Sequence, residues 1–218
     1  MKKRILVMAA LLFFVCHASV VMAQDQTALV TDQLFKDKVE LKYPQVSEMD
    51  NQSFEGKING IFEQYIKQSY KEMRNNEKEA EQYDFHAEYQ TDYQVKYNQA
   101  SLLSILTSNY MFSGGAHGNT VVQSFNFDEK AKKRVYVTDI LNNEEKIEAV
   151  RDYVWEYAIA RPDVFYPDLK REDIPLTQDT AFYFGDDGIT LVFQQYAIAP
   201  YVSGNQEIFI SKEVYEGK

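Results

Sequence analysis

The sequence is poor in the residues that carry covalent and metal chemistry. Its single cysteine is Cys16, and of its 3 histidines only His86 and His117 lie beyond the first 23 residues. Cys16 falls inside an apolar N-terminal run, so a chain cut after Ala23 has no thiol and no disulfide. That excludes cysteine nucleophiles, thiolate metal sites and redox switching, and it leaves stability to the core. Two histidines at no readable ligand spacing do not make a catalytic zinc site, so neither a metal nor a cofactor is implied. There is also no internal repeat and no low-complexity linker.

The N-terminus has the layout of an export signal. Lys2, Lys3 and Arg4 form a charged region, Ile5 to Val15 an apolar one, and Val21-Met22-Ala23 a small-residue cleavage pattern before Gln24. The apolar run is shorter than the ~20 residues that span a bilayer. Residues 1–23 therefore read as a signal peptide, with the mature chain in the periplasm or outside the cell and no stable membrane span after cleavage. An uncleaved anchor is the alternative; lipidation at Cys16 fits poorly with Phe14 and Val15 before it. Losing Lys2, Lys3 and Arg4 takes the formal charge from −10 to −13. Such a chain repels nucleic acid and anionic membranes and favours cationic partners, although solubility alone would also select it.

Periodicity organises the rest. Residues 24–36 are polar and read as a flexible segment, and residues 37–218 as one module, with 37–112 and 113–218 as sub-regions sharing a core. Val39, Leu41 and Tyr43 alternate with polar residues until Pro44, a first strand. Phe54, Ile58, Ile61, Phe62, Tyr65, Ile66 and Met73 follow a helical period, capped by Asp50 or Ser53 and ending in the charged run Asn75–Gln82. Tyr89, Tyr93 and Tyr97 line one face of the next strand, and Ser101–Phe112 is a second, more apolar one. Ile147, Val150, Val154, Tyr157 and Ala158 mark another helix, begun at Asn142 or Asn143 and ended by Pro162. Asp187-Gly188 between two apolar runs signals a hairpin. The order predicts α+β: an antiparallel sheet with two main helices packed on one face.

Ser113-Gly114-Gly115-Ala116-His117-Gly118-Asn119 is the densest cluster of special residues. Adjacent amides of Gly114 and Gly115 could form an anion-binding nest, with His117 as donor or general base and Ser113 and Asn119 beside it. The plainer reading is a chain reversal in which His117 bonds the neighbouring backbone. Ser113 and His117 lack both an elbow of the G-x-S-x-G kind and an orienting third residue, which disfavours a serine hydrolase. Tyr166 and Tyr201, near prolines, are candidates for stacking on sugar rings or anchoring an interface; Tyr196 reads as packing on the sheet.

Three blocks carry a family likeness. They are Tyr43-Pro44 with Lys57-Ile58-Asn59; the glycine cluster with Asn126-Phe127-Asp128 and Thr138-Asp139-Ile140-Leu141; and Phe182-Tyr183-Phe184 with Asp187-Gly188 and Tyr196-Ala197-Ile198-Ala199-Pro200-Tyr201. They resemble the exported domain-of-unknown-function family found in RsiV-type anti-sigma-factor ectodomains and beside the catalytic domain of PdaC-type peptidoglycan deacetylases. The resemblance implies an extracytoplasmic α+β module that senses or binds, with lysozyme or peptidoglycan fragments as expected partners. Nothing here resembles the deacetylase domain itself, and only Met1 to Arg4 precede the apolar segment, so no sigma-binding part is expected. The alternative is a cell-wall hydrolase using His117 and a carboxylate such as Asp187 or Glu207. A purely structural or assembly role is the third reading.

Overall fold

A computed structural model describes residues 26–217; the expected signal peptide lies outside them. In chain order the elements are β1 (Leu29–Leu34), β2 (Lys42–Ser47), α1 (Gln52–Tyr83), β3 (Ala87–Gln99), β4 (Leu102–Ser113), β5 (Asn119–Asp128) and β6 (Lys133–Val135). A one-turn helix α2 (Val137–Ile140) leads to α3 (Glu144–Ile159). Then come β7 (Ala181–Gly185), β8 (Gly188–Phe193), β9 (Gln206–Ser211) and a short α4 (Lys212–Glu216). The chain is α+β with two main helices. All named strands pair antiparallel, in three sheets: β1-β2, β3-β4-β5-β6 and β7-β8-β9.

Each main helix covers its own sheet. Helix α1 buries Phe54, Ile58 and Phe62 on Leu103, Ile105, Phe125 and Phe127 of β4 and β5. Because side chains alternate along a strand, Leu106 and Val122 point to the opposite face, where they meet Ala181 of β7 and Val192 of β8. Helix α3 packs Val150, Val154 and Ala158 on the far side of that second sheet, against Phe182, Leu191 and Ile208 among others. The result is four layers: helix, sheet, sheet, helix.

Several sequence expectations change. Residues 24–36 are not a flexible lead-in over their described part, since Leu29–Leu34 forms β1 against β2. Asn98 holds this segment to the main sheet: its Nδ2 donates to the Ala28 carbonyl at 2.7 Å and its Oδ1 accepts the Ala28 amide at 3.0 Å. Pro44 lies inside β2 rather than ending a strand. Helix α1 begins at an Asn51 cap, and it does not stop in the charged run. It continues to Tyr83 because Asn76 and Ala80 stay on its buried stripe. Buried Asn76 donates to the Glu88 and Phe112 carbonyls at 3.1 and 2.9 Å. The aromatic face of β3 is also broken. A bulge between Val95 and Tyr97 shifts the register, leaving Tyr89 and Tyr93 on the α1 side and turning Tyr97 toward Phe184.

Helix α1 crosses its sheet obliquely. Its start packs on β5, with Phe54 against Phe127, while its end is tied to β3 and β4 through Asn76. The divergence exposes part of the sheet and opens a cleft of about 610 Å³ beside Tyr65, Ser69, Tyr89 and Asn109. A connected network lines it. The Tyr65 hydroxyl donates to Asn109 Oδ1, and Asn109 Nδ2 donates to Ser69 Oγ and Tyr89 Oη, each at 3.0 Å. Tyr89 in turn donates to Glu72 at 2.8 Å.

Burial pushes the Tyr65 hydroxyl up to about 12 and raises Tyr89 as well. A pKa raised on folding stabilises below the unfolded value and is lost as pH climbs through the folded one. The melting temperature should therefore fall as pH rises from 10 to about 12, and Tyr65→Phe should flatten that fall. In the same core, Phe62→Ala should cost about 3–5 kcal/mol in denaturant unfolding.

Candidate functional site

The glycine cluster is the connection between β4 and β5. Gly114 and Gly115 sit at φ +80° and +94°, in the half of the map that favours glycine, and let the chain leave β4 and return as β5. Both glycines thus meet a backbone requirement of the chain reversal, which is the plainer of the two readings. Ser113 is also engaged elsewhere: its hydroxyl donates to Asn76 Oδ1 at 2.6 Å, toward α1 and away from any role as a nucleophile paired with His117.

His117 is exposed and held from three sides. Its Nδ1 lies 2.9 Å from the Gly118 carbonyl, which can only accept, so that nitrogen carries the proton. In the neutral ring Nε2 is then the acceptor facing the Tyr196 hydroxyl at 3.3 Å. The imidazole stacks on Tyr201, centroids 3.8 Å apart at 20°, and Tyr201 lies 5.7 Å from Tyr196. A Cβ on Gly118 would meet the Tyr110 ring at 2.4 Å, so a larger residue there requires that ring to move aside.

The partners come from the far end of β8. Its continuation turns at residues 194–197, closed by the Ala197 amide on the Gln194 carbonyl at 3.1 Å. Tyr196 takes φ +65°, a left-handed conformation that costs a side-chain-bearing residue about 1–3 kcal/mol and that holds its ring outward, 51% exposed. Val202, next to Tyr201 in the 3₁₀ turn after Pro200, is 89% exposed.

What joins these segments is a pair of glutamines. Strand β5 pairs with β6 only over its last three residues, so its beginning is an edge. Gln194 fills that edge: its Oε1 accepts the Val122 amide at 3.0 Å and its Nε2 donates to the Val122 carbonyl at 2.6 Å. Gln195 Oε1 accepts the Thr120 amide at 2.9 Å. The side chains thus replace a missing neighbouring strand.

Of the residues singled out in sequence, His117 and Tyr201 are brought together. Asn119 is exposed and lines the α1 cleft on the other side of the hairpin. Tyr166 packs on the α3 core, its amide donating to the Ile198 carbonyl at 3.2 Å, and takes no part in the His117 cluster. Tyr196, read as sheet packing, is instead a member of the cluster, and Gln194 and Gln195 were missed altogether. Among the described residues no carboxylate is hydrogen-bonded to His117. Glu207 pairs with Lys96 at 3.0 Å and accepts from Tyr183 at 2.7 Å. Asp187 lies in the opposite turn of the β7-β8 hairpin, roughly 20 Å along β8 from Gln194. Among the described residues no group of three or more His, Cys, Asp and Glu could hold a metal, and no helix is long and apolar enough to cross a membrane.

The class defined so far is a layered α+β module with an aromatic surface cluster where the four-stranded and three-stranded sheets meet. Comparison with known proteins divides it at the same seam. Residues 31–120 match the family described as Deacetylase PdaC, and residues 138–213 match Protein of unknown function (DUF3298). The chain is thus similar to PdaC over the first stretch, which holds His117, and to DUF3298 proteins over the second, which holds Tyr196 and Tyr201. The peptidoglycan-N-acetylmuramic acid deacetylase PdaC of Bacillus subtilis is 27% identical over 163 residues, covering 66% of this chain and 33% of that protein. The chain thus spans about a third of the length of this curated relative. Crystal structures of DUF3298-family proteins share the fold. One from Bacteroides fragilis has a TM-score of 0.58 at 20% identity, and one from Pseudomonas aeruginosa 0.55 at 18%. Each alignment covers 89% of this chain and 93% of the other.

Gln194→Leu leaves the Val122 amide and carbonyl unpaired and should cost about 1–3 kcal/mol in denaturant unfolding. Tyr201→Ala, at the surface, should cost under about 1 kcal/mol in the same assay.

Proposed function

We propose that this chain is an exported binding or sensory module without catalysis of its own, and that His117, Tyr196, Tyr201 and Val202 form its contact surface. The observation that carries this is the stacked His117–Tyr201 pair: an exposed imidazole fixed by backbone and aromatic rings, hydrogen-bonded to no carboxylate and to no serine or threonine hydroxyl among the described residues. General acid–base work needs a proton partner positioned at the reacting group, and His117 has only a carbonyl and a phenol. Recognition needs something different, namely aromatic side chains held rigid at the surface so that little ordering entropy is lost on contact.

Two lines support a ligand from the cell wall or its attackers. The Bacillus subtilis relative is a peptidoglycan-N-acetylmuramic acid deacetylase, and the matched region is a third of it. The RsiV-type likeness suggests lysozyme, and a processed chain at −13 would steer a basic protein toward itself. The hydrolase alternative, with His117 and Asp187 or Glu207, has less support, since neither carboxylate is placed to serve His117.

Calorimetry of the processed chain against lysozyme and against soluble muropeptides tests the proposal. Binding to one of them is expected, weakened about tenfold or more by Tyr201→Ala. If lysozyme is the ligand, affinity should also fall as salt rises, because charge steering is screened. Absence of binding to both would remove the proposal.

A further inference from the structure

We infer that the cleft between α1 and the β4-β5 hairpin is a binding site for a neutral saccharide, separate from the His117 cluster and beyond the reading above. The cleft lies on the α1 face of β5, whereas Gln194 and the His117 cluster are reached through the edge and the loop. Its volume of about 610 Å³ falls within the ~300–1,000 Å³ of small-molecule sites. Ile61 to Glu72 line it along α1, a length of about 16 Å at the helical rise.

The lining chemistry selects the ligand class. One wall is the prewired network of Tyr65, Ser69, Glu72, Tyr89 and Asn109, whose hydroxyls and amides are held in fixed directions. The opposing strand presents Asn119, Val121 and Gln123 on one face, an amide–apolar–amide ladder, with Val121 53% exposed and Met111 of β4 40% exposed beside it. The side chains of Gln64, Asn119 and Gln123 have no hydrogen bond within the chain among the described residues, so their amides are free for a ligand. Glu72 and Arg134 give the lining one charge of each sign. Burial lowers the Arg134 pKa, and its guanidinium is laid over Phe125 at 4.5 Å.

Competing ligand classes fit less well. A peptide adding as a strand needs a free backbone edge, and here one wall is a helix and the other is the face of a paired strand. A lipid chain would cover the amides of Gln64, Asn119 and Gln123 and the Tyr65–Asn109–Glu72 network without offering them hydrogen-bond partners. A phosphate-bearing ligand needs an excess of positive charge, which Glu72 cancels. A saccharide presents what remains: hydroxyls and amides at its rim for Gln64, Gln123 and Asn119, and C–H faces for Met111 and Val121.

The test is calorimetric titration of the processed chain with two probes, the tetramer of N-acetylglucosamine and the tetramer of β-1,4-linked glucose. Saturable binding of at least one is expected. The double variant Gln64→Leu/Gln123→Leu changes two exposed side chains, so its melting temperature should hold while affinity falls about tenfold, the loss expected for two neutral hydrogen bonds. Because Gln64 and Gln123 line the cleft and neither touches the His117 cluster, loss of affinity in this variant places the saccharide in the cleft. No binding of either tetramer at millimolar concentration, or binding that survives the double variant, would overturn the inference.

Discussion

The seam between the two sheets is the constraint on which the candidate site depends. Strand β7 pairs with β8 on one side and docks its free edge onto polar side chains of the four-stranded sheet. The Phe182 amide donates to Ser124 Oγ and the Phe184 amide to Ser104 Oγ, both at 3.0 Å, while Asn126 Nδ2 donates to the Phe182 carbonyl at 2.9 Å. Apolar contact of Leu106, Val122, Ala181 and Val192 excludes water around these bonds. Each bond contributes only about 1 kcal/mol net, but leaving any of them unmade would strand a buried polar group, so the docking geometry is narrowly specified. His117 and Tyr201 meet only because this docking and the Gln194–Val122 clasp bring residues 113–119 and 194–203 together.

The same geometry explains why the two concave or exposed features differ in kind. At the seam, both segments are loops, and what they present is a rigid aromatic surface. Under α1 a long helix diverges from a sheet, and the uncovered strand face makes a cleft with a hydrogen-bonded wall. Asn76 controls that divergence, because it ties the helix end to Glu88 and Phe112 and receives Ser113, the first residue of the glycine cluster. A side chain in the middle of a charged run thus sets both where the helix ends and where the loop begins.

Much of this was legible from periodicity. The α3 stripe of Val150, Val154 and Ala158 is buried as read, and the β7-β8 hairpin forms at Asp186-Asp187, next to the Asp-Gly signal. Local patterns predict local structure well because each element must bury one face. What escaped was whatever depends on a distant partner. The bulge that turns Tyr97 away has no mark in an alternating strand. Asn76 looks like one more polar residue until two carbonyls are found above it. Gln194 and Gln195 read as loop, since their role exists only beside an unpaired strand edge. Ser113 and His117 are neighbours in sequence, and Tyr166 shares nearby prolines with Tyr201, yet the fold turns Ser113 to α1 and Tyr166 to the α3 core.

The central claim is that the His117 cluster recognises and does not react. The most direct test is incubation of the processed chain with purified peptidoglycan, assaying released reducing ends and acetate over time beside a His117→Ala variant. No release above the buffer blank is expected from either protein. Product formation by the unmodified chain that His117→Ala abolishes, with folding intact, would contradict the claim.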